Sequence, residues 1–145
     1  IVAAYDLDIA YNPSIVTATA VSFGSMLGGP VDSFQSAIGT SGLIDLAEVS
    51  FLLDADLALL QGAGPITLAT LFFSGDNPGT SPLSFINYGD GVNDIKGASN
   101  IAYGNPILNG GSITVRGGGA VPEPATFLLF CTGLMGLVGL RRRFK

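Results

Sequence analysis

Residues 125–140 are sixteen consecutive uncharged, mostly apolar positions, and they run straight into Arg141-Arg142-Arg143-Phe144-Lys145. A helix of that length rises about 24 Å, marginal but workable against the roughly 30 Å hydrocarbon layer of a bilayer. A helix packed inside a protein core rarely lacks a polar face and ends in three arginines. The stretch therefore predicts one C-terminal transmembrane α-helix, leaving about 120 residues for a single folded body. The positive-inside rule keeps Arg141, Arg142 and Arg143 cytoplasmic and places residues 1–120 on the far side of the membrane.

Composition narrows what that body can be. The 21 glycines and 8 prolines follow no three-residue period, which excludes collagen and favours a turn-rich β-protein. Apolar residues at 48% and charged residues at 12% exclude a chain kept disordered by polarity. Residues 1–120 carry ten acidic and two basic side chains (Lys96 and Arg116), or −8; residues 121–145 carry Glu123 against four cations, or +3, summing to the net −5. An acidic body with two scattered cations makes nucleic acid a poor partner. Histidine is absent and Cys131 is the one cysteine, lying within the apolar tail. No intramolecular disulfide, Ser-His or Cys-His pair or histidine metal ligand exists, so no cofactor is expected.

The body reads as strands. Tyr5, Leu7, Ile9 and Tyr11 alternate with Asp6, Asp8 and Ala10, putting the large apolar side chains on one face and the carboxylates on a solvated one. Asn12-Pro13-Ser14 turns the chain, and residues 15–23, rich in β-branched side chains, form a second strand. Residues 43–51 and 66–73 are apolar on both faces for much of their length, which predicts central strands. Between them, Leu53, Leu57 and Leu60 share helical spacing over residues 54–61, with Asp54 as the cap. Further strands are expected at 82–87, 91–96, 98–103 and 112–116, each bounded by glycine, asparagine or proline. Seven or more short strands predict an all-β fold, an antiparallel β-sandwich or jelly roll.

Few residues suggest chemistry. Asp6 and Asp8 lie about 7 Å apart along one strand face, and glycoside hydrolysis uses two carboxylates. Alternating acids on a strand more commonly make its wet face, so a carbohydrate-active enzyme is the weaker alternative. Asp90, Asn93 and Asp94 supply oxygen ligands suited to calcium, but without the EF-hand register or its closing glutamate, and ordinary turn chemistry is the stronger reading.

Val121-Pro122-Glu123-Pro124, the short apolar helix and the terminal arginines together resemble a PEP-CTERM sorting signal of Gram-negative bacteria. The resemblance covers roughly 25 residues. It implies recognition of Pro122, Glu123 and Pro124 by an exosortase, a membrane-embedded cysteine transpeptidase, which processes the exported protein near that motif. A second resemblance covers most of residues 1–120. The stretch from Tyr5 to Pro13, then Val21-Ser22-Phe23-Gly24, Leu68-Ala69-Thr70-Leu71-Phe72-Phe73 and Gly79-Thr80-Ser81-Pro82-Leu83, is similar to cohesin modules. That likeness implies a nine-stranded jelly-roll sandwich that binds a dockerin through a sheet face.

Taken together these readings predict a cohesin-like sandwich over residues 1–116, a Gly-rich linker over 117–121 and a sorting signal over 122–145. The last comprises the transmembrane helix at 125–140 and a basic end at 141–145. Cohesins begin with a strand before the one at Tyr5, and exported proteins carry a signal peptide, so the chain is expected to be part of a longer precursor. Its loss of that strand would leave unpaired amides and a weakened sandwich. The expected protein is non-enzymatic and exported. It is held in the inner membrane through lipid contact at 125–140, with its body in the periplasm, and then sorted to the cell surface or extracellular matrix. Its body has a dockerin-like domain, a polysaccharide or another copy of itself as the open choices of partner. Permanent single-pass anchoring is the alternative.

Overall fold

The computed structural model describes residues 1–86, 94–103 and 106–117. Asp90, Asn93 and the whole segment from Pro122 through Arg143, where the transmembrane helix is expected, lie outside them. Among the described residues no helix is long and apolar enough to cross a membrane.

Among the described residues eight strands, one helix and one 3₁₀ turn follow in the order β1 (Ala4–Ala10), β2 (Val16–Phe23), β3 (Ser33–Thr40), β4 (Leu43–Ser50), α1 (Asp54–Gln61), β5 (Ala69–Gly75), β6 (Gly79–Phe85), β7 (Asp94–Lys96), the 3₁₀ turn (Ala98–Asn100) and β8 (Gly111–Val115). They form an all-β antiparallel sandwich of unequal layers. The large sheet runs β3-β4-β1-β6-β8, with β7 also paired to β1; the second layer is the ribbon β2-β5.

Strand β1 organises the large sheet. Its seven residues pair with β4 from Ala4↔Val49 to Ala10↔Leu43. Its other side is shared, β7 taking Ala4, Tyr5 and Asp6 and β6 taking Ile9 and Ala10. Because β1 reaches β6 at Phe85 and Ser84 alone, Pro82 meets no ladder on that side and its missing N–H costs nothing there. β3 and β4 join through Ser41 and Gly42, and Gly42 takes φ +89°, which the second residue of such a tight turn requires.

Alternation along β1 sends Tyr5 and Leu7 inward against Ile44 and Leu46 of β4 and Val16 of β2, with Leu27 closing the cluster. Tyr11 meets Phe73 of β5 edge to face, ring centres 5.5 Å apart, which ties the layers together. Gly24, just beyond β2, lets the ribbon close: a Cβ there would stand 1.9 Å from the Thr67 carbonyl oxygen.

Several expectations need correction. The segment at 66–73 is not a central strand; among the described residues β5 pairs with β2 alone, Leu71 and Phe73 lean on the core, and Phe72 is half exposed. A two-stranded ribbon shows its outer face to solvent, and apolar residues there mimic a strand buried on both sides. Residues 98–103 form a 3₁₀ turn and an isolated bridge at Ala102, because two left-handed residues break the extended run. Leu53, not Asp54, occupies the cap position of α1, without a capping side-chain bond. Of the three leucines at helical spacing, Leu57 is buried while Leu53 and Leu60 face solvent. The helix is held largely by Gln61, whose amide donates to the Val2 and Met26 carbonyls at 2.6 and 3.1 Å and accepts from the Val2 N–H at 2.7 Å.

Candidate functional site: the outer face of the large sheet

Direct cross-strand partners share a face, so the registers of β3, β4, β1 and β7 lay out the side of the large sheet turned away from the core. One row reads Phe34, Val49, Ala4, Lys96; the next Ser36, Ala47, Asp6, Asp94; the third Ile38, Asp45, Asp8. The β3 side of this grid is apolar and open: Phe34 and Ile38 are each 59% exposed and Val49 45%. The β1 and β7 side is charged. Lys96 Nζ lies 3.4 Å from Asp94 Oδ2, and Asp6 stands directly opposite Asp94. A concavity of about 430 Å³ opens in this charged region, bounded by Ala4, Asp6, Ala47, Asp94, Lys96 and Asn100.

The expected solvated face of β1 is thus only partly wet. Asp6 is half-buried, but Asp8 is 2% exposed, which corrects the reading of both as surface carboxylates. Asp8 faces Asp45 across the ladder, and its carbonyl accepts the Ile86 N–H at 3.0 Å. Of the calcium candidates, Asp94 lies on β7 in its ion pair with Lys96. Among the described residues no group of three or more acidic or thiol side chains is placed to hold a metal ion.

The opposite face of the same strands carries a charge that alternation did not flag. Glu48 of β4 points into the sandwich and is fully buried. Its Oε1 accepts from Ser33 Oγ at 2.9 Å and Gln35 Nε2 at 2.8 Å, and its Oε2 from the Tyr5 hydroxyl at 3.1 Å. The Tyr5 hydroxyl also lies 3.3 Å from the Leu68 carbonyl ahead of β5, joining the two layers. Burial, with the adjacent Glu48 charge and hydrogen bond, pushes the Tyr5 phenol well above its ordinary value. Three neutral donors on one carboxylate make this a structural post, closed to solvent, rather than a binding site.

Phe34 and Ile38, the open apolar residues of this face, were not singled out by the pattern of residues. Their strand reads SFQSAIGT, in which Phe34 and Ile38 are four apart with small or polar residues between, too sparse a period to announce a strand.

Comparison with known proteins gives two results. The model for the PEP-CTERM protein-sorting motif matches residues 120–143. No curated protein matches the chain. Among solved structures the neighbours include cohesin modules of Acetivibrio cellulolyticus. The third cohesin of ScaC, solved in complex with the ScaB dockerin, superposes with a TM-score of 0.58 at 15% identity, covering 80% of this chain and 79% of that one. The second type II cohesin module of the adaptor scaffoldin ScaA gives 0.55 at 16% identity, covering 70% and 71%. A type II cohesin domain from the cellulosome gives 0.57 at 14%, covering 77% of each chain. The chain therefore folds as a cohesin-like β-sandwich and carries, beyond that sandwich, a PEP-CTERM protein-sorting motif.

Proposed function

We propose that this is a non-catalytic surface or matrix protein, exported, held in the inner membrane by its tail, and processed there by an exosortase-type peptidase. The observation that carries the reading is the sorting-motif match at residues 120–143, which begins within five residues of the end of β8 at Val115. On this reading the sandwich ends near residue 116, residues 117–121 are the linker, and Pro122, Glu123 and Pro124 are the recognised element. Residues 125–140 span the bilayer, and Arg141, Arg142 and Arg143 hold the end in the cytoplasm. Prolines keep the recognised element extended outside the bilayer, where its backbone is accessible to a peptidase. The motif match supports export with processing at the membrane, and the onward route from periplasm to cell surface belongs to this reading.

Intact mass of the extracellular protein tests this. A chain lacking residues 125–145 is expected, and replacing Pro122, Glu123 and Pro124 with alanine should leave full-length protein in the membrane fraction. Full-length protein in the membrane irrespective of that substitution would instead identify a permanent anchor.

The body is a protein-docking module, and its docking surface is the outer face of β3, β4, β1 and β7. An exposed apolar patch beside a charged one is the composition that specific interfaces use at centre and rim. The cohesin-like fold supports a dockerin-like domain as the occupant. Calorimetry with type I and type II dockerins should show binding that Phe34→Ser and Ile38→Ser abolish. Binding unchanged by these substitutions would move the docking surface elsewhere, and no binding to either type would remove dockerin as the partner. Calcium at Asp90, Asn93 and Asp94, and catalysis by Asp6 and Asp8, have no support beyond residue type.

A further inference from the structure

The chain leaves β7 through a turn held in costly geometry. Ser99 takes φ 55°, ψ 28° and Asn100 takes φ 59°, and among the described residues these are the non-glycine positions with left-handed backbone. That backbone is costly for both, less for asparagine than for serine, and two such residues in succession persist where surrounding contacts over-determine them. Those contacts are present. The Gly97 N–H donates to the Ile101 carbonyl at 2.9 Å and the Asn100 N–H to the Gly97 carbonyl at 3.2 Å. The Ser99 N–H and Oγ both reach Asp54 Oδ2, at 3.0 and 3.4 Å, across 45 residues of sequence. Asp54 opens α1, yet its carboxylate serves the turn.

What the turn does is visible at the sheet. The outer face of a sheet is flat unless small residues lower its floor and something rises at its rim. Here Ala4 and Ala47 lower the floor, Val49 stands on one side, and Asn100 of the strained turn stands on another, enclosing the 430 Å³ concavity. The carboxylates of Asp6 and Asp94 border it with Lys96, a formal sum of one negative charge on a body of −8.

We infer that Asp54 is a positioning residue, holding the Ser99–Asn100 turn as the wall of an anchoring pocket that takes one arginine or lysine side chain of the docked protein. The inference rests on the docking surface proposed above. An anionic side chain would meet two carboxylates there against one cation, Lys96, which already pairs with Asp94, and an apolar one would desolvate the charged rim without replacing its water. A cationic side chain lays its methylenes over Ala4, Ala47 and Val49 and brings donors to Asp6, Asp94 and the Asn100 amide oxygen.

The test is an amide NMR titration of the full chain in detergent with N-acetyl-arginine amide, and separately with N-acetyl-glutamate amide. Saturable shifts at Ala4, Asp6, Asp94 and Asn100 are expected from the arginine compound and none from the glutamate compound. Asp54→Ala should weaken arginine binding at least fivefold, and Asp54→Asn, which keeps an acceptor for the Ser99 N–H, should restore it. Equal shifts from both compounds in the unsubstituted chain overturn the pocket. So does an Asp54→Ala chain that binds arginine as before, or an Asp54→Asn chain that binds as poorly as Asp54→Ala. The two proposals fail separately: loss of docking on Phe34→Ser with no arginine binding leaves the docking surface and removes the pocket, whereas arginine binding without any effect of Phe34→Ser does the reverse.

Discussion

Glu48 shows at the scale of one residue how far alternation can mislead. In the sequence it is one acid between Ala47 and Val49; in the fold it is a fully buried acceptor for Tyr5, Ser33 and Gln35. Glu48→Ala strands those donors in the interior and should cost about 3 kcal/mol or more, read as a lower midpoint in urea unfolding followed by circular dichroism. Its neighbour Tyr5 supplies a pH dependence with a definite sign. Its folded pKa lies above the unfolded value near 10, so the stabilisation it adds is complete below pH 10 and is lost as the pH climbs beyond it. Tyr5→Phe should flatten the fall in stability between about pH 9.5 and 11.5, at a cost of about 1 kcal/mol at neutral pH. Asp8 was misread for a related reason. Period two assigns it to a face, and nothing in the pattern says what will cover that face.

Elements were legible where their signal was local and strong. β1, β2, β4, β6 and β8 lie within a few residues of the stretches marked by alternation and by glycine or proline punctuation, and α1 coincides with its leucine spacing. β3 was not legible, because its strand status comes from eight ladder partners on β4 rather than from its own composition. The ribbon position of β5 depends on which strands flank it, which is tertiary information, and the left-handed pair after β7 has no glycine to announce it. Gly24 belongs at this scale, since it governs how the end of β2 meets the chain leading into β5. Gly24→Ala should force that crossing apart and lower stability by about 3 kcal/mol, measurable as a drop in thermal midpoint, while Gly39→Ala, open on all sides, should change it far less.

Over the whole molecule the sequence separates into an acidic body at −8 and a cationic end at +3, and this division was readable without coordinates because lipid imposes its own length and charge rules. The sorting signal is therefore the most legible part of the candidate machinery. The proposed docking surface is the least, since it assembles from β3, β4, β1 and β7, which are contiguous in space but not in sequence. Charge also fixes a prediction at this scale. With Arg141, Arg142 and Arg143 replaced by alanine, orientation should lose its bias, and protease added to spheroplasts should digest a smaller share of the body than it does in the unsubstituted chain.

The inequality of the two layers has a dynamic consequence. β2 and β5 share one ladder, and Val16 is their one residue fully shut from solvent, whereas β1 and β4 are laddered on both sides. Amide hydrogen exchange should therefore run fastest in the ribbon and slowest in β1 and β4, with the ribbon opening as a low-energy unit. The two central strands of the outer face, β1 and β4, are then the ones that breathe least, so the proposed docking surface keeps a preorganised centre even while the other wall of the sandwich fluctuates.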